Sequence, residues 1–377
     1  MSERKQIVPA SRPYFGKNDI AFILSEFEDI LSGKSYLSMH KHGSKFEDSF
    51  SQMVGTKHAV ACNSGTSALE LIFRAIDVSG KEVILPSNTF LATAIAIINA
   101  GGIPVFADCD STLCLDYNDA IRKVTSKTAA ICHVHIGGLL SEGLLKLKKY
   151  CNSNNIFLVE DAAQAHGSSL SGTNAGNFGE AAGFSFFSTK VMTTGEGGMV
   201  TTNNSSLVPK MKSMREFGKV KKGIYTNWHE SFGYNWRMPE VNSLMGLRQL
   251  KSLKSFIKRR QEIAKYYDGE LSGISKIKLV KPPSPETHNY FKYLLIIDPD
   301  SRIKIHEKMQ ENGVYLSGYV YEFPLHKLPL FKEHNDIELI NTEYYCSSHI
   351  GLPIFFDMSD SEATHVIDSF KKVLSQI

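Results

Sequence analysis

The 377-residue chain lacks any apolar stretch able to cross a membrane. Its longest apolar run, FLATAIAIINAGGIPVF (90–106), is broken by Thr, Asn, Gly and Pro. The N-terminus, MSERKQIVPASRPYFG, has no apolar core of the secretory-signal type. There is no C-x-x-C pair, and the six cysteines follow no framework, so free thiols in a reducing, cytoplasmic setting are expected. No Gly-Lys-Ser/Thr closes a phosphate loop. The glycines of GTNAGNFGEAAG (172–183) do not follow a strand and open a helix as a dinucleotide site requires. A net charge of +3 gives no reason to expect a nucleic-acid partner. Basic residues gather only in KSLKSFIKRR (251–260), where apolar residues interleave them at helical spacing, as on the wet face of a long helix. His133 and His135 would share a strand face, but no third ligand lies near them in sequence, so no metal is expected.

What the chain does have is an alternation of strands and helices through its first two-thirds. Strands are predicted at 58–62, 82–85, 103–108, 129–135, 156–161, 182–187 and 198–202, with helical periodicity between most of them. The strands are continuous apolar runs, which marks a mostly parallel sheet covered on both faces by helices. From Pro239 the texture changes to a long helical pattern, then the proline-rich KPPSPET (281–287). A strand at 289–298, a helix at 301–313, a strand at 314–320 and a capped helix at 359–374 follow. The expected architecture is α/β: a large domain at 1–240 with a seven-stranded sheet, then a connecting helix and a small α+β domain at 241–377.

Ligands of open α/β sheets bind beyond the carboxyl ends of the strands. Asn63-Ser64-Gly65-Thr66-Ser67 follows the first strand and opens a helix, either as an anion site or as a plain cap. Glu160 and Asp161 end the fifth strand, where a carboxylate needs a cationic partner. Lys190 follows the sixth, in FSFFSTKVMTTGEGGMV (184–200), where desolvation would weaken its ammonium. Each has an ordinary structural explanation: a cap, a salt bridge, a rim lysine. Together they meet the needs of pyridoxal phosphate: an anion cradle, a carboxylate for the pyridine nitrogen and a lysine for a Schiff base.

Ten ordered segments resemble the DegT/DnrJ/EryC1/StrS sugar aminotransferases, a branch of the fold-type I (aspartate aminotransferase-like) pyridoxal phosphate enzymes. They are GSKFEDSF (43–50), NSGTSALEL (63–71), PSNTFLATA (86–94), PVFADCD (104–110), HVHIGG (133–138), VEDAAQAHGS (159–168), FSFFSTKVMTTGEGGMV, GYNWRM (233–238), RRQEIAKYY (259–267) and PLHKLP (324–329). The resemblance implies that Lys190 is the Schiff-base lysine and proton shuttle, and Asp161 the partner of the pyridine nitrogen. It puts Gln164 beside the ring near its phenolic oxygen, Phe90 on a ring face, and Gly65, Thr66, Ser67 and Ser185 at the phosphate. Asn235 would reach the phosphate of a neighbouring subunit, giving a homodimer with shared sites. His326 would lie near the substrate mouth.

The same resemblance implies transfer of an amino group from L-glutamate to a nucleotide-linked keto-sugar. The products are 2-oxoglutarate and an amino-sugar, with pyridoxamine phosphate formed between the two halves. The TTGEGG run (193–198) looks more like 4- than 3-aminotransferases. Related sugar 3-dehydratases carry histidine where Lys190 stands. A sugar-acid aldehyde or another ketone as acceptor stays open, as does a cofactor-binding regulator without turnover. The sugar and the nucleotide are not readable. The loops 35–43 and 218–230 carry lysines and histidines that suit a diphosphate or are simply solvated.

Overall fold

A computed structural model describes residues 6–284, 287–318 and 321–377. Helices α1 (Lys17–Leu31) and α2 (Lys41–Val54) lead into β1 (His58–Cys62) and α3 (Gly65–Ala75). Then come β2 (Glu82–Pro86), α4 (Leu91–Asn99), β3 (Ile103–Ala107), α5 (Tyr117–Arg122), β4 (Thr128–Val134), α6 (Gly143–Asn154) and β5 (Phe157–Asp161). Two short strands, β6 (Ser169–Leu170) and β7 (Thr173–Asn174), precede β8 (Ala181–Ser185), β9 (Gly198–Thr202) and α7 (Leu207–Arg215).

Seven strands form one sheet in the order β1-β9-β8-β5-β4-β2-β3. Only β9 runs against its neighbours, β1 and β8; the other pairs are parallel. The carboxyl ends of β1, β2, β4, β5 and β8 therefore share one edge. Helices cover both faces, and apolar cores lie on each side: Phe46, Phe50, Phe184 and Phe186 on one, Leu71, Phe73, Leu85 and Phe106 on the other. This two-sided burial is why the strands read as unbroken apolar runs.

The chain continues through a hairpin, β10 (Lys219–Lys222) and β11 (Tyr225–His229), into α8 (Glu240–Leu271). No proline interrupts α8: Pro239 is its N-cap, where no N–H is needed and its carbonyl accepts the Ser243 N–H at 3.1 Å. The first half of α8 carries Leu253 and Phe256 into a sheet-side core; the second carries Ile263, Tyr267 and Leu271 into a separate core. That separate core also takes Val8, Leu295, Ile350, Phe355 and Phe370. Its frame is β12 (Lys278–Leu279), β13 (Tyr293–Ile296), α9 (Arg302–Glu311), α10 (Ile340–Ser348), β14 (His349–Leu352) and α11 (Asp360–Leu374). A capping box between Ser359 and Glu362 starts α11.

Three sequence expectations need correction. Residues 218–230 are mostly the β10–β11 hairpin rather than a loop; its charged, exposed faces hid the strand pattern. Of the strand expected at 314–320, Tyr319 and Val320 lie outside the described residues; the rest makes only single bridges, Val8 to Val314 and Ser317 to Gly351, before Gly318 turns at φ 103°. The strand expected at 289–298 begins only at Tyr293, because residues 289–292 bond to the loops of the large sheet instead.

Candidate active site

The turn after β1 is built by its own side chains. Ser64 caps α3, its Oγ accepting the Ser67 backbone N–H at 3.1 Å. The Ser67 hydroxyl, buried, donates to Asn63 Oδ1 at 2.8 Å. The N–H groups of Gly65 and Thr66, the first two residues of α3, have no carbonyl a turn earlier in that helix to receive them. Gly65 lies against β8: a Cβ there would stand 2.7 Å from Ser185 Cβ. Gly65, Thr66 and Ser185 thus stand where the free N–H groups of α3 meet the end of β8, while Ser67 is committed to holding the turn.

Asp161 ends β5 and is almost fully buried. Its Oδ2 accepts the Thr93 hydroxyl at 2.7 Å and its Oδ1 the Ala163 N–H at 3.1 Å. Thr89 in turn lies 2.8 Å from Thr93, hydroxyl to hydroxyl. Glu160 points the other way. It holds the turn at 176–179 through three backbone N–H groups and pairs with His135 Nε2 at 2.9 Å. His135 is therefore occupied by a carboxylate, and no group of three metal-ligating side chains occurs among the described residues.

Gln164 is buried one turn beyond Asp161, and its Oε1 accepts the Gly137 N–H at 2.8 Å and the Tyr321 hydroxyl. Its amide NH₂ takes no partner among the described residues, so it is left as a donor. Phe90 caps α4 with 58% of its surface exposed, whereas Ala94, Ala96 and Ile97 after it are buried. Lys190 follows β8 in a tight turn, its N–H donating to the Phe187 carbonyl at 2.9 Å. Part of the residue is open to solvent, yet surrounding protein desolvates its ammonium. Burial pushes it from 10.5 down to about 8, with the Asp161 carboxylate pulling the other way. His166, buried against Phe184 and Phe186, is pushed down to about 3 by burial and by Lys190, so its ring is neutral.

The remaining two expected residues sit differently. Asn235 bridges Glu216 at the base of the hairpin. His326 is fully buried, with Nδ1 2.7 Å from Ser87 Oγ and Nε2 3.1 Å from Glu343 Oε1. It is tied to Ser87, which begins the loop to Phe90. Sequence reading missed Thr93, Tyr321, Phe291 and Lys292. Thr93 was within reach, being a polar residue one turn into an apolar helix. The other three come from far along the chain, where local pattern carries no signal.

The donor set fits pyridoxal phosphate. A helix N-terminus opened by a glycine that packs too closely on Ser185 for any Cβ suits a phosphate, a buried carboxylate suits the pyridine nitrogen, and a desolvated lysine suits the aldehyde.

Residues 18–371 match the DegT/DnrJ/EryC1/StrS aminotransferase family. GDP-perosamine synthase of Vibrio cholerae is 29% identical over 98% of this chain and 100% of its own. The dTDP-4-dehydro-2,3,6-trideoxy-D-glucose 4-aminotransferase of Saccharopolyspora spinosa is 31% identical over 96% of each chain. Helicobacter pylori PseC, an aminotransferase involved in the biosynthesis of pseudoaminic acid, is similar in structure with a TM-score of 0.92. It is 27% identical, over 99% of this chain and 100% of that one.

Proposed function

The chain belongs to the DegT/DnrJ/EryC1/StrS aminotransferase family, and from that premise we propose that it is a pyridoxal phosphate-dependent aminotransferase acting on a nucleotide-linked keto-deoxysugar. L-Glutamate is the proposed donor and a 4-keto group the proposed acceptor, for the making of amino-sugars of surface polysaccharides. The observation that carries the reading is the convergence of Lys190, Asp161 and the contact of Gly65 with Ser185 on one edge of the sheet.

Pyridoxal phosphate, when bound, supplies an electrophilic carbon for the donor nitrogen and a protonated ring that draws electrons from the donor α-carbon. Lys190 would hold that carbon. Once displaced, its Nζ would take the proton from the donor α-carbon and return it at the next position, acting as base and then acid. An ammonium weakened to about 8 suits a group that must be a free amine for part of each cycle. Asp161 would set its carboxylate opposite the ring nitrogen, and Thr93 and the Ala163 N–H fix that carboxylate in place. Gly65, Thr66 and Ser185 would hold the phosphate, with Ser67 supporting the turn. Gln164 would donate its amide N–H near the phenolic oxygen, and Phe90 would cover a ring face.

The same reading makes the enzyme a homodimer in which Asn235 serves the partner's site. Exposed Ile224, Tyr225, Trp228 and Phe232 on and after the hairpin support a covered face there. Six free buried cysteines are in keeping with the cytoplasm; no helix among the described residues is long and apolar enough to cross a membrane. The deciding experiment incubates the cofactor-loaded protein with L-glutamate and a panel of nucleotide-linked 4-keto-sugars, 3-keto-sugars and sugar-acid aldehydes. Product mass and NMR give the acceptor and the position aminated. Amination of no acceptor, with cofactor bound, would defeat the reading.

A further inference from the structure

Among the described residues, the buried lysine and arginine side chains are Arg215, Arg260, Arg302 and Lys292. Three have hydrogen-bond or ion-pair partners within the chain, although the Nε of Arg215 and of Arg260 takes none. Arg215 pairs with Glu47 at 2.7 Å. Arg260 donates to the carbonyls of Tyr290 and Ile354 at 3.0 and 2.7 Å. Arg302 donates to the Cys346 carbonyl and pairs with Glu322 at 3.3 Å. The Lys292 ammonium has no carboxylate or carbonyl partner among the described residues; its one recorded contact is the Phe291 ring, 4.8 Å away. A buried ammonium without a counter-ion is costly, and chains keep one where something else supplies the anion.

Its position says where that anion would lie. Lys190 Nζ stands 4.9 Å from the centroid of the same Phe291 ring. Twice that distance bounds the separation of the two ammonium groups. The backbone holding Lys292 is tied into the site: its N–H donates to the Gly137 carbonyl at 3.2 Å, and the Gly137 N–H donates to Gln164. Asn289 donates to the carbonyls of Gln164 and His166 at 2.8 and 3.1 Å and accepts the Phe291 N–H at 2.9 Å. Residues 289–292 thus leave the small sheet and form a wall of the Lys190 cleft. Burial, with Lys190 and Arg260 adding repulsion, pushes the Lys292 ammonium from 10.5 down to about 7. An arriving carboxylate would restore its charge.

We propose that Lys292 is a carboxylate-binding residue for the amino donor, seated beside Phe291 so that a dicarboxylic amino acid bonds to it while its α-carbon lies at Lys190. The proposal rests on the aminotransferase reading for its choice of donor. Of the charged groups that act on Lys190 and Lys292, Asp161 repels a carboxylate, Lys292 attracts one, and Arg260 adds positive charge through its effect on the Lys292 ammonium.

The test is calorimetric titration of the cofactor-loaded enzyme with glutarate, a dicarboxylate with no amino or keto group, followed by half-reaction kinetics. Loss of a charge-assisted contact predicts that Lys292→Met binds glutarate about 10- to 100-fold more weakly. Lys292→Arg should stay within a few-fold of the parent. Apparent affinity for L-glutamate should fall in Lys292→Met by more than that for the keto-sugar, with the thermal midpoint not lowered, since the substitution removes an unpaired buried charge. The proposal is overturned if the parent does not bind glutarate, if Lys292→Met binds it equally well, or if the loss falls on the keto-sugar alone. Lys292-dependent glutarate binding by a parent that transfers no amino group would keep the carboxylate site and defeat the aminotransferase reading.

Discussion

Gly65 and Ser185 approach so closely that a methyl group on Gly65 would lie 2.7 Å from Ser185 Cβ and 3.2 Å from its Cα. The contact joins the start of α3 to the end of β8, two elements that no local pattern links. It makes glycine at 65 a steric requirement of the proposed phosphate cradle. Gly65→Ala should force α3 away from β8 at a cost of about 1–3 kcal/mol. Fluorescence titration with pyridoxal phosphate should show weaker binding, and urea denaturation a lower midpoint. An alanine variant that binds the cofactor as well as the parent would remove Gly65 from the cradle.

Thr93 holds Asp161. Thr93→Val keeps the shape but leaves Oδ2 without its hydroxyl donor, which costs about 1–3 kcal/mol for a buried acceptor. Turnover should fall less than in Asp161→Asn, where loss of the charge opposite the ring nitrogen should lower kcat by about 100- to 1000-fold. Steady-state kinetics of the two variants checks the order.

Lys190 sets a pH dependence. In the cofactor-free protein, capture of pyridoxal phosphate needs the neutral amine, so its rate should rise with pH and level off above about 8. A lysine at its ordinary 10.5 would give a rate still climbing well past that point. The linkage has a definite sign: between about 8 and 10.5 the unfolded chain holds a proton that the folded chain has lost, so this group's contribution to stability grows as pH rises. Stopped-flow absorbance reads the first effect. Lys190→Ala should abolish the covalent cofactor link altogether, seen as loss of the visible band and of the borohydride-fixed adduct.

His326 serves as a brace. Its ring joins Ser87 to Glu343, and its backbone N–H donates to Ser87 Oγ at 3.1 Å. His326→Leu should lower stability by about 1–3 kcal/mol through the polar groups left unpaired, while the covalent cofactor band persists. Denaturation curves and absorbance spectra, taken together, separate this from a direct role at the cofactor.

Much of the molecule was legible in the sequence because its signals are local. Apolar runs such as AVAC and IFLV gave the large sheet, and the cap formed by Ser359 and Glu362 gave the last helix. Lys190, Asp161 and Gly65 stood out because each follows or ends a strand, where α/β sheets keep their chemistry. The smaller core was less legible. Its strands are two to four residues long, and residues 289–292 look like a strand in sequence but are claimed by the cleft.

The sequence by itself determined the elements of the large sheet and which residue types stand at its strand ends, since propensity, apolar periodicity and caps act within a few residues. Only the tertiary structure decided what meets there. Gln164 and Tyr321 lie 157 residues apart, and Thr93 and Asp161 lie 68 apart, yet each pair shares a hydrogen bond. Lys190 and Lys292 share one aromatic ring from opposite parts of the chain. Such contacts follow from the order in which strands enter the sheet and from the return of the chain after α8, which fix distances that no spacing along the sequence encodes.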